Sequence, residues 1–200
     1  MFTICRLLIF LTETILLTVV YANGPDTFST SLTAAALERT QHAIQYDGSY
    51  HVIPYPMGDV PNNIGVCTDV IIRSYRAVGI DLQERVHKDM HRDFSAYPHN
   101  WGLRKPDSNI DHRRVPNLQT FFTRHGNTLA TSQEALDYKP GDLVTWMLPG
   151  NLPHIGIVTD KFVQGTHRPL IVHNIGHGPR LEDVLFQFEI TGHYRYPSSS

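Results

Sequence analysis

The chain has 200 residues, 41% of them hydrophobic and 18% charged, with a formal net charge of −2. That is enough apolar material for one domain with its own core, and short for two. A slightly negative balance without a Lys/Arg cluster argues against nucleic acid or an anionic membrane surface as a partner.

Met1 to Arg6 carry one positive charge, and the apolar run Leu7 to Tyr21 follows, interrupted by Thr12, Glu13 and Thr14. With Val20-Tyr21-Ala22 supplying a cleavage site, this pattern predicts a secretory signal peptide over residues 1–22. The run falls short of the ~20 apolar residues a spanning helix needs, and Glu13 lies inside it. The expectation is an exported protein, periplasmic or secreted, without stable membrane insertion after cleavage. Cys5 would leave with the signal, making Cys67 the sole thiol of a mature domain over residues 23–197, with 198–200 a disordered tail. A single exported cysteine is a reactive residue, half of an intermolecular disulfide, or an inert buried group.

Ser29, Thr30 and Ser31 offer caps for a first helix running to about Tyr46, and Tyr50 to Ile53 read as a short strand. Pro54, Pro56, Gly58, Pro61 and Gly65 then enforce a loop into Cys67. Cys67, Val70, Ile71, Ser74, Tyr75 and Val78 recur at the three- and four-residue steps of one helix face that Gly79 ends, so the thiol starts a helix on its buried side. A short helix over Gln83 to Met90 precedes a long loop with turn chemistry around Tyr97-Pro98 and Lys105-Pro106, a length that often shapes a binding site. Pro116 opens another helix with the stripe Leu118, Phe121, Phe122. After Pro140-Gly141-Asp142, strands are expected over Leu143 to Met147, Ile155 to Thr159, Leu170 to Val172 and Leu185 to Ile190. The product is an α+β domain with helices packed on a central antiparallel sheet.

The chemistry follows from placement. A helix start lowers a thiol's pKa through its dipole and offers unsatisfied N–H groups to an oxyanion. His154, on a strand expected to face that helix, is the partner that would hold the thiolate as an ion pair and protonate the leaving amine, with Gly156 leaving room for close approach. His173 would orient His154 as a third triad member. His42, His51, His87, His91, His99, His125 and His167 read as surface residues. No metal and no cofactor is expected.

These residues resemble the NlpC-type cell-wall cysteine peptidases, whose core is papain-like. The motifs that carry the likeness are Tyr55, Gly58, Cys67, Pro140-Gly141-Asp142-Leu143, His154-Ile155-Gly156-Ile157 and His173, in that order. More closely, Gly58-Asp59-Val60-Pro61, Gly65-Val66-Cys67-Thr68-Asp69-Val70, Asp111-His112-Arg113-Arg114-Val115-Pro116-Asn117-Leu118 and His173-Asn174-Ile175-Gly176 resemble the bacterial family called domain of unknown function 1287. The resemblance implies a papain-like (NlpC-type) core and a Cys67-His154-His173 hydrolase acting on an amide bond of peptidoglycan stem peptides or a related peptide. It also implies Tyr55 and the Cys67 amide on the oxyanion side, with Asn174 in support. A non-catalytic wall-binding or envelope-assembly module and a thiol acyltransferase are the alternatives on the same fold. Two departures matter. Asp69 stands where the wider family has glycine, either capping the helix or receiving a cationic substrate group. The segment Asp111, His112, Arg113 and Arg114 has no counterpart in the general motif, and reads either as a substrate-binding set suited to carboxylates or as a salt-bridged brace.

Overall fold

The structure, a computed structural model, describes residues 27–197. The expected signal peptide and tail, residues 1–22 and 198–200, lie outside these. No helix among the described residues is long and apolar enough to cross a membrane.

Among the described residues, four α-helices, α1 Thr27–Arg39, α2 Cys67–Ala77, α3 Leu82–Arg92 and α4 Val115–His125, accompany eight strands. Strands β1 (Gln45–Tyr46) and β2 (Ile64–Gly65) form a parallel pair. The main sheet contains β3 (Asn127–Thr128), β4 (Leu143–Leu148), β5 (Leu152–Phe162), β6 (Pro169–His173), β7 (Arg180–Glu182) and β8 (Glu189–Arg195). It is antiparallel throughout, in the order β3-β8-β4-β5-β6-β7. This is the expected α+β class. The cysteine helix comes first, then the Pro-Gly-Asp turn, then two histidine-bearing strands.

Strand alternation divides the core in two. Leu143, Ile155, Ile157 and Val172 face the helices, joining Cys67, Val70, Ile71, Tyr75, Leu118 and Phe122. Val144, Trp146, Val158 and Ile171 face the other way, under Tyr138, Val184 and Leu185, where Trp146 donates its indole N–H to Leu185 O at 3.0 Å. The expected stripe of α2 is buried, and so are Thr68, Asp69 and Ile72. Gly79, at φ +82°, takes the left-handed turn that releases the chain after Ala77.

Several boundaries differ from expectation. Helix α1 starts at Thr27, so Ser31 lies inside it and donates back to Thr27 O at 2.8 Å instead of capping. It stops at Arg39, because Gln45 and Tyr46 pair with Ile64 and Gly65. Residues 50–53 form no strand; Ile53 N–H donates instead to the Asn109 side chain at 2.9 Å. The last strand begins at Glu189, and Leu185 caps Trp146 from a loop. Strand β7 was not anticipated.

Candidate active site

Val66 occupies the N-cap of α2 and has no side-chain acceptor; the Asp69 N–H donates to Val66 O at 3.1 Å, and the Cys67 and Thr68 amides are left without a side-chain cap. Asp69, at the third helical position, accepts the Val66 N–H at 2.7 Å and fixes the entry of the chain. Cys67 is a free thiol, 5% exposed. It lies on the wall of a cleft of about 560 Å³ with Tyr46, Tyr50, Trp101, Arg113, Arg114, Leu152 and Pro153.

Burial dominates the electrostatics. It pushes the Cys67 thiol up to about 12, against the pull of the Ile155, Thr68 and Cys67 amides and with a further push from the Asp69 charge. The thiolate expected from the helix start is therefore not the resting form: desolvation outweighs the terminus. Burial likewise pulls His154 down to about 3, assisted by the charge His173 would carry, so its imidazole rests neutral.

His154 Nε2 lies 2.9 Å from His173 Nδ1, and His173 Nε2 lies 3.0 Å from Glu182 Oε2, near enough to pair but not aligned for a hydrogen bond. A carboxylate only accepts, so a proton on His173 Nε2 suits Glu182, and His154 Nε2–H then donates to His173 Nδ1. That leaves His154 Nδ1 as the basic nitrogen. Burial lowers His173, and the Glu182 charge partly restores it. Glu182, on β7, was missed by sequence reasoning.

The sheet corrects the expected orientation of His154. It pairs across strands with Trp146, and the two ring centroids are 5.9 Å apart, so its ring lies on the face away from the helix-side core. The residue of β5 that faces the helices beside Cys67 is Ile155, whose amide pulls the thiol down against burial. Gly156 serves the histidine pair: a methyl there would sit 2.6 Å from Ile171 Cγ2 and 3.2 Å from His173 Cβ.

Tyr55 is not beside Cys67. It is 42% exposed and edge-on to His87, with centroids 5.0 Å apart, in a groove with Lys88, His91 and Arg92. The tyrosine on the Cys67 cleft is Tyr46, whose phenol is held up at about 12 by burial first and then by the charges Cys67 and Asp69 would carry. The signal was present in Tyr46-Asp47-Gly48. Gly58 has a separate task, since a methyl there would overlap Pro54 O. Asn174 donates to Gly65 O at 3.4 Å and accepts from Gly176 N at 3.1 Å, bracing the loop two residues before the thiol.

The four-residue segment divides sharply. Arg113 forms a two-pronged pair with Asp69, Nε–Oδ1 and Nη2–Oδ2 both 2.9 Å, with side chains 2% and 3% exposed. Thr68 Oγ1 adds a bond to Arg113 O at 3.0 Å. Asp69 and Arg113 therefore hold each other, which corrects their assignment as substrate contacts. Asp111 is buried, accepts the Asp107 N–H at 2.5 Å, and is pushed up to about 6 by desolvation. His112 is buried and pulled down to about 3 by desolvation, then by Arg113. Neither of these lines the cleft, so they too are withdrawn as substrate contacts. Arg114 does line it.

Among the residues read as surface, His87 and His91 stand one helical turn apart on α3, a His-x-x-x-His spacing that the surface reading passed over, with ring centroids 4.7 Å apart. Lys88 and Arg92 flank them, and among the described residues no group of three or more His, Cys, Asp or Glu is placed to hold a metal ion.

Residues 33–196 match the family model described as domain of unknown function (DUF1287). The uncharacterized protein YijF of Escherichia coli (strain K12) is 54% identical over 152 residues, covering 76% of this chain and 73% of that protein. Among solved structures, NlpC1 from Trichomonas vaginalis aligns with a TM-score of 0.45 and 13% identity over 88% of this chain. The aligned region spans 46% of that structure's chain, less than half its length. With the family model covering almost all of the described residues, the chain belongs to the DUF1287 family.

Proposed function

We propose that the protein is an exported cysteine hydrolase that cleaves an amide bond in peptidoglycan stem peptides or a related peptide. The observation that carries this reading is Cys67 at the N-terminus of α2, on the wall of the cleft, with no side-chain acceptor capping that terminus. On this reading Cys67 adds to the substrate carbonyl as its proton passes to His154 Nδ1, a step that requires the imidazole to turn from Trp146 toward the cleft when substrate binds, and first-turn amides take the developing oxyanion. His154 returns the proton to the leaving amine. Water, deprotonated by His154, then cleaves the acyl thioester to a carboxylic acid and the free thiol. His173 and Glu182 hold the ring, and Tyr46 flanks the reacting centre. The peptidoglycan substrate and the export rest on the NlpC-type resemblance and on the leader-like residues 1–22.

A second reading, a non-catalytic wall-binding module, draws support from the neutral thiol and from the turn of His154 toward Trp146. An acyltransferase would share the acyl thioester, with an amine or hydroxyl in place of water. Incubating the protein with purified sacculi beside a Cys67→Ala control, and mass-analysing soluble fragments, separates these. Fragments from the native protein alone support hydrolysis; sacculus binding equal in both proteins without fragments overturns it.

A further inference from the structure

Among the described residues, the cleft beside Cys67 is lined by no carboxylate and by two cations, Arg113 and Arg114. Arg113 is committed to Asp69. Arg114 follows it in the chain, and its guanidinium meets a different environment. Its Cζ lies 4.1 Å above the Trp101 ring, its nearest carboxylate oxygen is Asp111 Oδ1 at 4.0 Å, and it makes no hydrogen bond among the described residues. Its side chain is nevertheless only 16% exposed. A guanidinium has five donors, and covering it without acceptors costs free energy that an incoming anion would recover. Burial accordingly pulls its pKa down. The position is fixed: Thr68, the residue after Cys67, donates to the carbonyl of Arg113 at 3.0 Å, tying the chain at Arg114 to the first turn of α2.

We infer that Arg114, backed by Trp101, is the specificity-determining residue of the cleft and captures a free carboxylate of the peptide substrate in two-pronged fashion. One planar fork matches one planar monoanion, and no second open cation is at hand for the charge of a phosphate dianion. The Trp101 face holds the guanidinium plane while leaving its edge free to donate. This inference rests on the thiol-hydrolase reading for its substrate, but its test reads the thiol and not turnover.

Cys67 is alkylated with N-bromoacetyl derivatives of glycine, β-alanine and γ-aminobutyrate, each compared with its carboxamide and with a phosphonate analogue of matched length. Free cysteine sets the intrinsic ratios, and Cys67→Ala serves as the blank. At one spacer length the acid should outpace the amide by about tenfold or more beyond the free-cysteine ratio. Arg114→Gln should return that ratio to the free-cysteine value, and Arg114→Lys should keep only part of the preference. Trp101→Leu should weaken it, and decides the matter if Arg114→Gln does not fold. A free-cysteine ratio at every length, or a preference unchanged by the variants, overturns the inference; a phosphonate preferred over the acid overturns the choice of carboxylate. Carboxylate-directed alkylation without sacculus cleavage sinks the hydrolase reading and leaves Arg114 standing, whereas cleavage without directed alkylation does the reverse.

Discussion

Replacing Asp69 by Ala removes three charge-assisted hydrogen bonds at once: the Val66 N–H at 2.7 Å and the Nε and Nη2 donors of Arg113 at 2.9 Å each. Arg113, 2% exposed at its side chain, is left with the carbonyls of Ser49 and Asp47 at 3.3 and 3.4 Å. Two neutral acceptors at that distance do not replace a carboxylate. Breaking a buried pair by deleting one partner costs about 3–5 kcal/mol, and in a chain of this size each kcal/mol shifts Tm by roughly 2–4 °C. Thermal unfolding at pH 7 should therefore show a fall of about 6–20 °C for Asp69→Ala. Asp69→Asn, which keeps one acceptor and loses the charge, should fall between. The double change Asp69→Leu with Arg113→Met should be more stable than either single loss, because it strands no charge. Asp69→Ala with an unchanged Tm and a selective rise in KM would refute the bracing role and return Asp69 to the substrate.

Other consequences follow from burial. A thiol near 12 is about 10⁻⁵ ionised at pH 7 against about 10⁻² for one at the ordinary 9, and its greater basicity recovers only part of that, so iodoacetamide should label native Cys67 about 50-fold more slowly than free cysteine. Rapid labelling at pH 6 would contradict a buried neutral thiol. His112 and His154, both drawn down to about 3, favour the folded state above 6.5 and lose that contribution as pH falls toward 3. Asp111, raised to about 6, works oppositely: its contribution is full below 3.8 and is lost as pH rises through 6. Two groups against one predict lower stability in urea at pH 4.5 than at pH 7, and equal stability would contradict it. Glu182→Gln should leave Tm nearly unchanged and lower sacculus turnover by about ten- to a hundredfold, since it removes the charge steadying His173; unchanged turnover would exclude Glu182 from the site.

The sequence was most legible where local pattern and tertiary demand coincide. Helix α2 carries both an apolar stripe and a glycine stop, so its span and the place of Cys67 could be read directly. Tyr46 could not be read so, because what brings it to Cys67 is the parallel pairing of Gln45–Tyr46 with Ile64–Gly65, a non-local contact that left Tyr55 as the tyrosine nearer in sequence. Glu182 hides in a three-residue strand, Arg180-Leu181-Glu182, without β-branched residues, and acquires its partner only through the register His173 to Arg180. Alternation along β5 was legible as a period but not as a face, so His154 was expected to look at the helix when Ile155 does. Arg113 and Arg114 are identical in sequence terms. A single 3-10 turn over Asp111–Arg113 sends one into Asp69 and the other over Trp101.

The resting protonation states constrain the chemistry that this arrangement can perform. Burial raises the Cys67 thiol and lowers the His154 imidazole, so desolvation opposes the ionisation of either group alone before substrate arrives. In the proposed hydrolase, proton transfer accompanies attack, when charge passes from sulfur to an oxygen that the amides at the start of α2 can hold. Val66 offers no side-chain acceptor to the first-turn amides, and the burial that slows alkylation of Cys67 is the same burial that strengthens those amides once a substrate carbonyl displaces water from the cleft.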